Sequence, residues 1–405
     1  MKRIITFFLL CFAAILQAQD IKVSTKDNDL KLAALPYYSY GKGLGITSAD
    51  SLFQLNIRFR MQNRIGYIQN EDEDAAYDGQ IRRLRLRFDG YVGDPKFLYV
   101  LQLSFAPGDV GEIQDGENIN IIRDAAVIYR PNKHWSLIFG QTKIPGNRQR
   151  VNSSGALQLT DRSINNSRFN VDRDFGIQAY FLNEKKDQFS YNIKGAVTTG
   201  EGRNWTKSPD NGVAVTGKIE LFPLGSFKKD GSNFEGDLAR EDKPKVLLSA
   251  SAHQNNWARR TQGETGNDLF EQRTMSSVFG DFMLKYNGWS GMATYMKRMA
   301  KNPVTVNPLD MTESNFVYVG EGMDYQLSYT FPTMYEIIGR YSFQNVNNDI
   351  KDLAPNTREY TLGLTKYIWE HAFKLQTEFT YDQLSFGDGS SKDNWYIRFQ
   401  VEIGI

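Results

Sequence analysis

The stretch IRRLRLRFDGY, residues 81–91, sets arginine at 83, 85 and 87 with Leu84, Leu86 and Phe88 between them. In an extended strand successive side chains point to opposite faces, so this spacing predicts a strand with one basic and one apolar face. The same period of two recurs along nearly the whole chain, while apolar residues at helical spacing are scarce. At the C-terminus Trp395, Ile397, Phe399, Val401, Ile403 and Ile405 alternate with Asn394, Tyr396, Arg398, Gln400 and Glu402. Phe53, Leu55, Ile57, Phe59 and Met61 alternate in the same way with Gln54, Asn56, Arg58, Arg60 and Gln62.

The alternation predicts sixteen strands, at about 52–68, 81–92, 96–105, 121–130, 134–141, 174–182, 188–198, 212–222, 245–254, 276–286, 288–298, 315–331, 334–344, 357–368, 372–383 and 394–404. Short links at 93–95, 131–133, 183–187, 287, 332–333 and 369–371 are each followed by a longer one such as 106–120, 142–173, 255–275 or 299–314. Short turns at one end and long loops at the other are the organisation of an outer-membrane barrel. The link 223–244 departs from this, being long where a short turn is due. Aromatic residues bracket the short turns: Tyr91 and Phe97, Tyr129 and Trp135, Phe181 and Phe189, Tyr286 and Trp289, Phe331 and Tyr335, Trp369 and Phe373. Amphipathic rings collect where hydrocarbon meets head groups, so this is the pattern of an interfacial girdle.

The expected fold class is therefore all-β, a transmembrane antiparallel barrel of about 16 strands. A mean hydropathy of −0.49 does not oppose this, because a barrel that is apolar outside and polar inside averages to such a value. Lys2 and Arg3 precede an apolar run from Ile4 to Leu16, with small Ala18 beyond, and 1–19 is expected to be a secretory signal peptide. The single cysteine, Cys11, falls in that leader, which leaves no thiol chemistry in the mature chain. No later stretch is apolar and long enough for a spanning helix. Residues 20–50 form an N-terminal segment in which YGKGLGIT is either a short extra strand or periplasmic, and 51–405 is expected to be one barrel. Without Lys2 and Arg3 the 48 basic residues fall to 46 against 47 acidic ones, so no global charge points to nucleic acid.

Charge is instead patterned locally. Arg83, Arg85 and Arg87 are expected to face the lumen, and the antiparallel neighbour turns Arg58 and Arg60 the same way. Guanidiniums stay charged at any relevant pH and offer forked donors to oxyanions. A column of them gives a passing anion several weak sites in succession, as conduction requires. The alternative is a solvated face balanced by Asp89 and the EDED run at 71–74. The long segment 142–173 carries Lys143, Arg148, Arg150, Arg162, Arg168 and Arg173 against Asp161 and Asp172. Loops of this length without structure of their own tend to be functional, and folded inward this one would narrow the pore and add positive potential.

Signals for catalysis, metals or cofactors are weak. His134, His253 and His371 lie far apart without metal-ligand spacing, and His253 near Ser249 and Ser251 is the only local suggestion of a hydrolase. GKGLG at 41–45 lacks the helix of a phosphate-cradling loop.

Four stretches, RRLRLRFDGYVGDPKFLYVLQLSF at 82–105, IRDAAVIYRPNKHWSLIFGQTKIP at 122–145, LTDRSINNSRFNVDRDFGIQAYF at 159–181 and FEGDLAREDKPK at 234–245, resemble the phosphate-selective porin O and P family of Gram-negative outer membranes. The resemblance implies a sixteen-stranded barrel, often trimeric, conducting anions through an arginine-lined lumen narrowed by an infolded loop. It would place Arg83, Arg85 and Arg87 in the lumen, with Arg162 and Arg173 near the constriction. The expectation is a passive outer-membrane channel, not an enzyme, for small anions such as phosphate, embedded in outer-membrane lipid as a homotrimer. The alternatives are a general or sugar-selective porin and a secreted glycan-binding β-protein.

Overall fold

The alternation along the chain closes on itself in the computed structural model, which describes residues 43–110, 120–204 and 210–405. The expected signal peptide 1–19, and 20–42 of the N-terminal segment, lie outside the described residues. The chain opens with the short β1 (Leu44–Thr47), followed by β2 (Phe53–Gln69), β3 (Ala76–Val92), β4 (Asp94–Ser104), β5 (Ile122–Tyr129) and β6 (Trp135–Lys143). Next come β7 (Arg173–Asn183), β8 (Ser190–Thr198), β9 (Ala214–Phe222), β10 (Lys245–Arg260), β11 (Asp268–Tyr286) and β12 (Trp289–Ala300). The last are β13 (Val304–Val306), β14 (Ser314–Phe316), β15 (Gly320–Thr330), β16 (Tyr335–Val346), β17 (Asn356–Trp369), β18 (Phe373–Ser385) and β19 (Ser391–Gly404).

Each barrel strand pairs antiparallel with the next, from β2 through β12 and β15 to β19. The ring shuts where β19 lies against β2, with Ile397 opposite Tyr67 and Ile403 opposite Met61. Sixteen strands thus form a closed sheet without free edges. Strand β1 is the short extra strand among the two readings of YGKGLGIT: it pairs with residues 54–57 of β2, beyond the Gly404–Arg60 pair where β19 ends.

The outer face carries the exposed members of each alternation, among them Phe59, Ile65, Val127, Phe139, Ile177, Ile337, Leu362, Phe379 and Phe399. Many of their inward neighbours are polar and buried, Arg58, Arg64, Gln178, Thr361, Glu378 and Gln400 among them, as a lumen requires, while Ala126, Ile128 and Ile138 belong to an apolar patch on the inner wall. At the short-turn end Phe97 stacks on Tyr129 at 4.9 Å, Trp135 meets Phe181 edge-on at 5.3 Å, and Trp289 lies 4.8 Å from Tyr329. Tyr91 does not join this belt: it is buried inside, where its hydroxyl donates to the Ser51 carbonyl. A second aromatic group, Tyr67, Tyr77, Trp395 and Phe379, marks the long-loop end.

Four strands, β3, β10, β11 and β15, differ from the sequence reading for identifiable reasons. In β3, Arg83 pairs with Gln62 but Ile81 with Asn63, leaving Arg82 as an extra residue that hides the start of the strand at Ala76. In β10 a register shift between Asn255 and Ala258, with Trp257 at φ 59°, masks the upper half of the β10–β11 hairpin. The expected strand 315–331 begins at Gly320, because Val317, Tyr318 and Val319 are all buried in succession and cannot alternate. β14 before them pairs only with β13, in a separate ribbon.

Candidate pore and constriction

On β2 and β3 the register sets Arg58 opposite Arg87 and Arg60 opposite Arg85. Like charges directly opposed are destabilising, so carboxylates must lie among them. Asp89 bridges Arg58 and Arg87, each at 3.1 Å; Glu402 of β19 lies 3.4 Å from Arg60. Asp109, just beyond β4, takes Arg85 at 2.9 Å and Arg123 of β5 at 2.8 Å. Asp161 takes Arg82 at 2.8 Å and Arg83 at 3.3 Å, and pairs with Arg64, which also meets Asp78. With Arg398 of β19, 3.9 Å from Asp161, nine arginines therefore share five carboxylates, Asp78, Asp89, Asp109, Asp161 and Glu402. A small cavity of about 30 Å³ opens beside them; the charged side chains in its lining, Arg58, Arg60, Arg85, Arg87 and Lys143, are all basic, and the Ile405 terminus lies among them.

Around the ring beyond β19 the balance reverses. Asp324, Glu336, Glu359 and Glu378 are buried on the inner faces of β15 to β18, where Arg340 and Lys374 are the buried cations. Arg340 pairs with Glu359 at 3.0 Å.

Residues 144–172 connect β6 to β7 through the barrel interior and are held by both walls. Their polar groups are sorted by wall. Asp161 goes to the arginines, while neutral donors go to the carboxylates. Ser163 and Asn165 each donate to Asp324 at 2.7 Å, Thr160 donates to Glu378 through N at 2.9 Å and Oγ1 at 2.6 Å, and Gln158 donates to Glu336. Lys374 and Gln376 donate to the Leu157 carbonyl at 2.6 and 3.3 Å. An apolar anchor completes the attachment, with Ile144, Phe169 and Val171 packed on Met275, Phe279 and Met296 of β11 and β12. Burial works to raise the Asp161 carboxyl, but Arg82, Arg83 and Arg64 outweigh it and hold the group well below the usual carboxylate range. Asp109 behaves alike: burial is outweighed by Arg85, Arg123 and the Ser104 hydroxyl.

The side chains of Arg58, Arg60, Arg83, Arg85 and Arg87 all turn inward. The basic residues of 142–173 have other work. Lys143 and Arg173 belong to strands β6 and β7, which shortens the loop at both ends. Lys143 donates to the Val151 and Asn152 carbonyls, and Arg173 pairs with Asp124 at 3.0 Å. Arg162 donates to the carbonyls of Gln149 and Asn152, Arg148 to those of Ser232 and Phe234, and Arg150 pairs with Asp172 at 2.6 Å. Arg168 is exposed above the Tyr318 ring. Arg148 and Arg162 thus fasten the loop, since buried carbonyls need donors and a guanidinium supplies several.

Arg64, Arg82 and Arg123 were not among the expected wall residues. Arg64 continues the alternation from Arg58 and Arg60, so its signal was present; Arg82 is concealed by the bulge. His253 meets neither nearby serine: it contacts Thr216 at 2.9 Å and Glu264 at 2.9 Å, while Ser249 donates to Asp281. No cluster of His, Cys, Asp and Glu among the described residues could hold a metal ion.

A closed sixteen-strand sheet, apolar outside, with charged walls and a segment laid across its interior, defines the class of outer-membrane porins. The chain belongs to the phosphate-selective porin O and P family, whose sequence profile matches residues 53–382. Solved structures share the fold at low identity. The outer-membrane channel DcaP of Acinetobacter baumannii aligns at a TM-score of 0.55 and 12% identity, over 89% of this chain and 99% of that one. Salmonella typhi OmpF, solved in complex with daunomycin, aligns at 0.55 and 13%, over 89% and 100%. An anion-selective porin from Comamonas acidovorans aligns at 0.53 and 8%, over 87% and 100%. No curated protein matches the sequence. The protein is thus a porin of a Gram-negative outer membrane, a channel in class rather than an enzyme.

Proposed function

We propose that this porin is a passive diffusion channel favouring small anions, oxyanions such as phosphate among them, with the arginines of β2 and β3 as its selectivity element and 144–172 as its constriction. The observation that carries the reading is the excess of nine arginines over five carboxylates on one wall, beside a cavity whose charged side chains are all basic. Forked donors in a lumen attract oxyanions yet release them, since the acidic strands β15 to β18 bound the net field. The family name, with its phosphate selectivity, and the anion-selective Comamonas porin support the same direction. Membership of this family also supports a homotrimer in outer-membrane lipid.

The test is the reversal potential of the refolded protein in a planar bilayer under a KCl gradient, repeated with phosphate present. A chloride-favouring potential, weakened by phosphate and shifted toward cations when Arg83, Arg85 and Arg87 are replaced by alanine, is the expected result. A potential unchanged by the triple substitution would remove these residues from the mechanism.

A further inference from the structure

The link 223–244, which interrupts the short-turn pattern, enters the barrel from the end opposite to the long loops. It leaves β9 and rejoins β10, and it caps the neighbouring turn: the amide of Asn287 donates to the Glu241 carbonyl at 2.8 Å, and that of Gly288 to the Asp237 carboxylate at 2.7 Å. Arg240 donates to the carbonyls of Thr330 and Asn287 at the mouths of the next strands. Residues 231–237 then run inward. Lys285 of β11, fully buried, donates to three of their carbonyls, Gly231 at 2.8 Å, Phe234 at 3.1 Å and Gly236 at 2.6 Å. Ser290 of β12 donates to the Glu235 carbonyl. A Cβ on Gly236 would lie 2.5 Å from the Glu336 carboxylate of β16, so the backbone passes close against the acidic wall.

The tip of this insert meets the constriction segment. Arg148 donates to the Ser232 and Phe234 carbonyls at 2.7 and 2.6 Å, sharing the latter with Lys285. The Glu235 carboxylate accepts from the Gln149 side chain at 3.1 Å and the Gln158 amide at 3.0 Å, and the Glu235 amide donates to the Ala156 carbonyl at 3.3 Å. The Phe234 ring stacks on His371 with centroids 4.3 Å apart, leaving a cavity of about 250 Å³ between the insert and the Glu370–His371 turn. Two segments entering from opposite ends therefore touch inside the pore.

We propose that residues 223–244 form a second selectivity element, which limits the size of solutes crossing the short-turn mouth independently of the arginine wall. The inference rests on the assignment as a porin and not on its anion preference. The composition of the insert fits sieving by size: Lys228, Lys229, Arg240 and Lys243 are matched by Asp230, Glu235, Asp237, Glu241 and Asp242, so it adds almost no net charge. Its buried backbone carbonyls are met by Lys285 and Arg148, which holds it as a fixed part of the lumen rather than a loop in water.

The test removes residues 228–238, joins the ends with a glycine-containing turn, and compares single-channel conductance and the largest polyethylene glycol that enters the pore. Conductance is expected to rise severalfold and larger polymers to enter, while the reversal potential keeps its sign. A folded deletion protein with the conductance and polymer limit of the parent overturns the proposal. Lys285→Ala gives a second reading should the deletion not fold: it is expected to admit larger polymers, and a folded Lys285→Ala protein with the parental limit counts against the insert. A cation-favouring potential combined with a wider pore after deletion would retire the anion preference and leave the inference standing.

Discussion

The Asp161 carboxylate accepts from the Arg82 guanidinium at 2.8 Å, joining the segment that crosses the lumen to the strand whose alternating arginines first mark this chain. Arg83 approaches the same oxygen at 3.3 Å, and Arg64 completes the group. The chain thus supplies its own oxyanion to its arginine wall. Asp161→Asn removes this carboxylate from Arg82 and Arg83 and leaves Arg64 with Asp78 alone, and anion preference is expected to rise several-fold. A unit charge 8 Å from a passing ion is worth about 2 kcal/mol at an effective dielectric near 20, before screening. Reversal potentials of parent and variant under one salt gradient check this; a shift toward cations would contradict it.

The pH response of the loop follows from the same pairing. Asp161 and Asp109 are held well below the usual carboxylate range when folded, so the unfolded chain binds protons first as pH falls. Their stabilising contribution is full above the unfolded value of about 4 and is lost as pH drops through the depressed folded values. Thermal unfolding in detergent should therefore be insensitive to these two groups between pH 7 and about 5 and decline below about 4. In Asp161→Asn that acid decline should be smaller.

Leu362 lies on the outer face of β17 and is 61% exposed, between the buried Thr361 and Gly363. Leu362→Arg places a charge in hydrocarbon and is expected to cost about 2–4 kcal/mol if the site is near the bilayer midplane. Urea unfolding in lipid vesicles measures it; a cost near zero would mean that this face does not meet lipid.

Gly363 is where the wall makes room for the loop, since a Cβ there would lie 2.3 Å from Leu159 Cδ2. Gly363→Val should displace Leu159 and loosen 144–172, costing about 1–3 kcal/mol. Limited trypsin digestion of the folded protein should then cut at Arg162, which is tied to the Gln149 and Asn152 carbonyls in the parent. Resistance equal to the parent's would show that the loop does not depend on this contact.

Much of the architecture was legible in the residues. Sixteen strands, their short and long connections and the inward turn of Arg58, Arg60, Arg83, Arg85 and Arg87 follow from period-two alternation, because each side chain in a two-faced wall must suit either lipid or lumen. The misreadings fall where that rule is suspended: at the bulges by Arg82 and Trp257, and at the successively buried Val317, Tyr318 and Val319.

What the tertiary structure alone decided concerns charge and space inside the barrel. Alternation says that a side chain faces inward but not what stands across from it. Asp161 is one acidic residue among many until the loop folds it onto Arg64, Arg82 and Arg83, and Arg148 looks like part of a basic constriction until it meets the Ser232 and Phe234 carbonyls. Local patterning is set by the environment of single residues and can be read along the chain, whereas the net field and width of the lumen come from partners far apart in sequence, brought together only when the sheet closes.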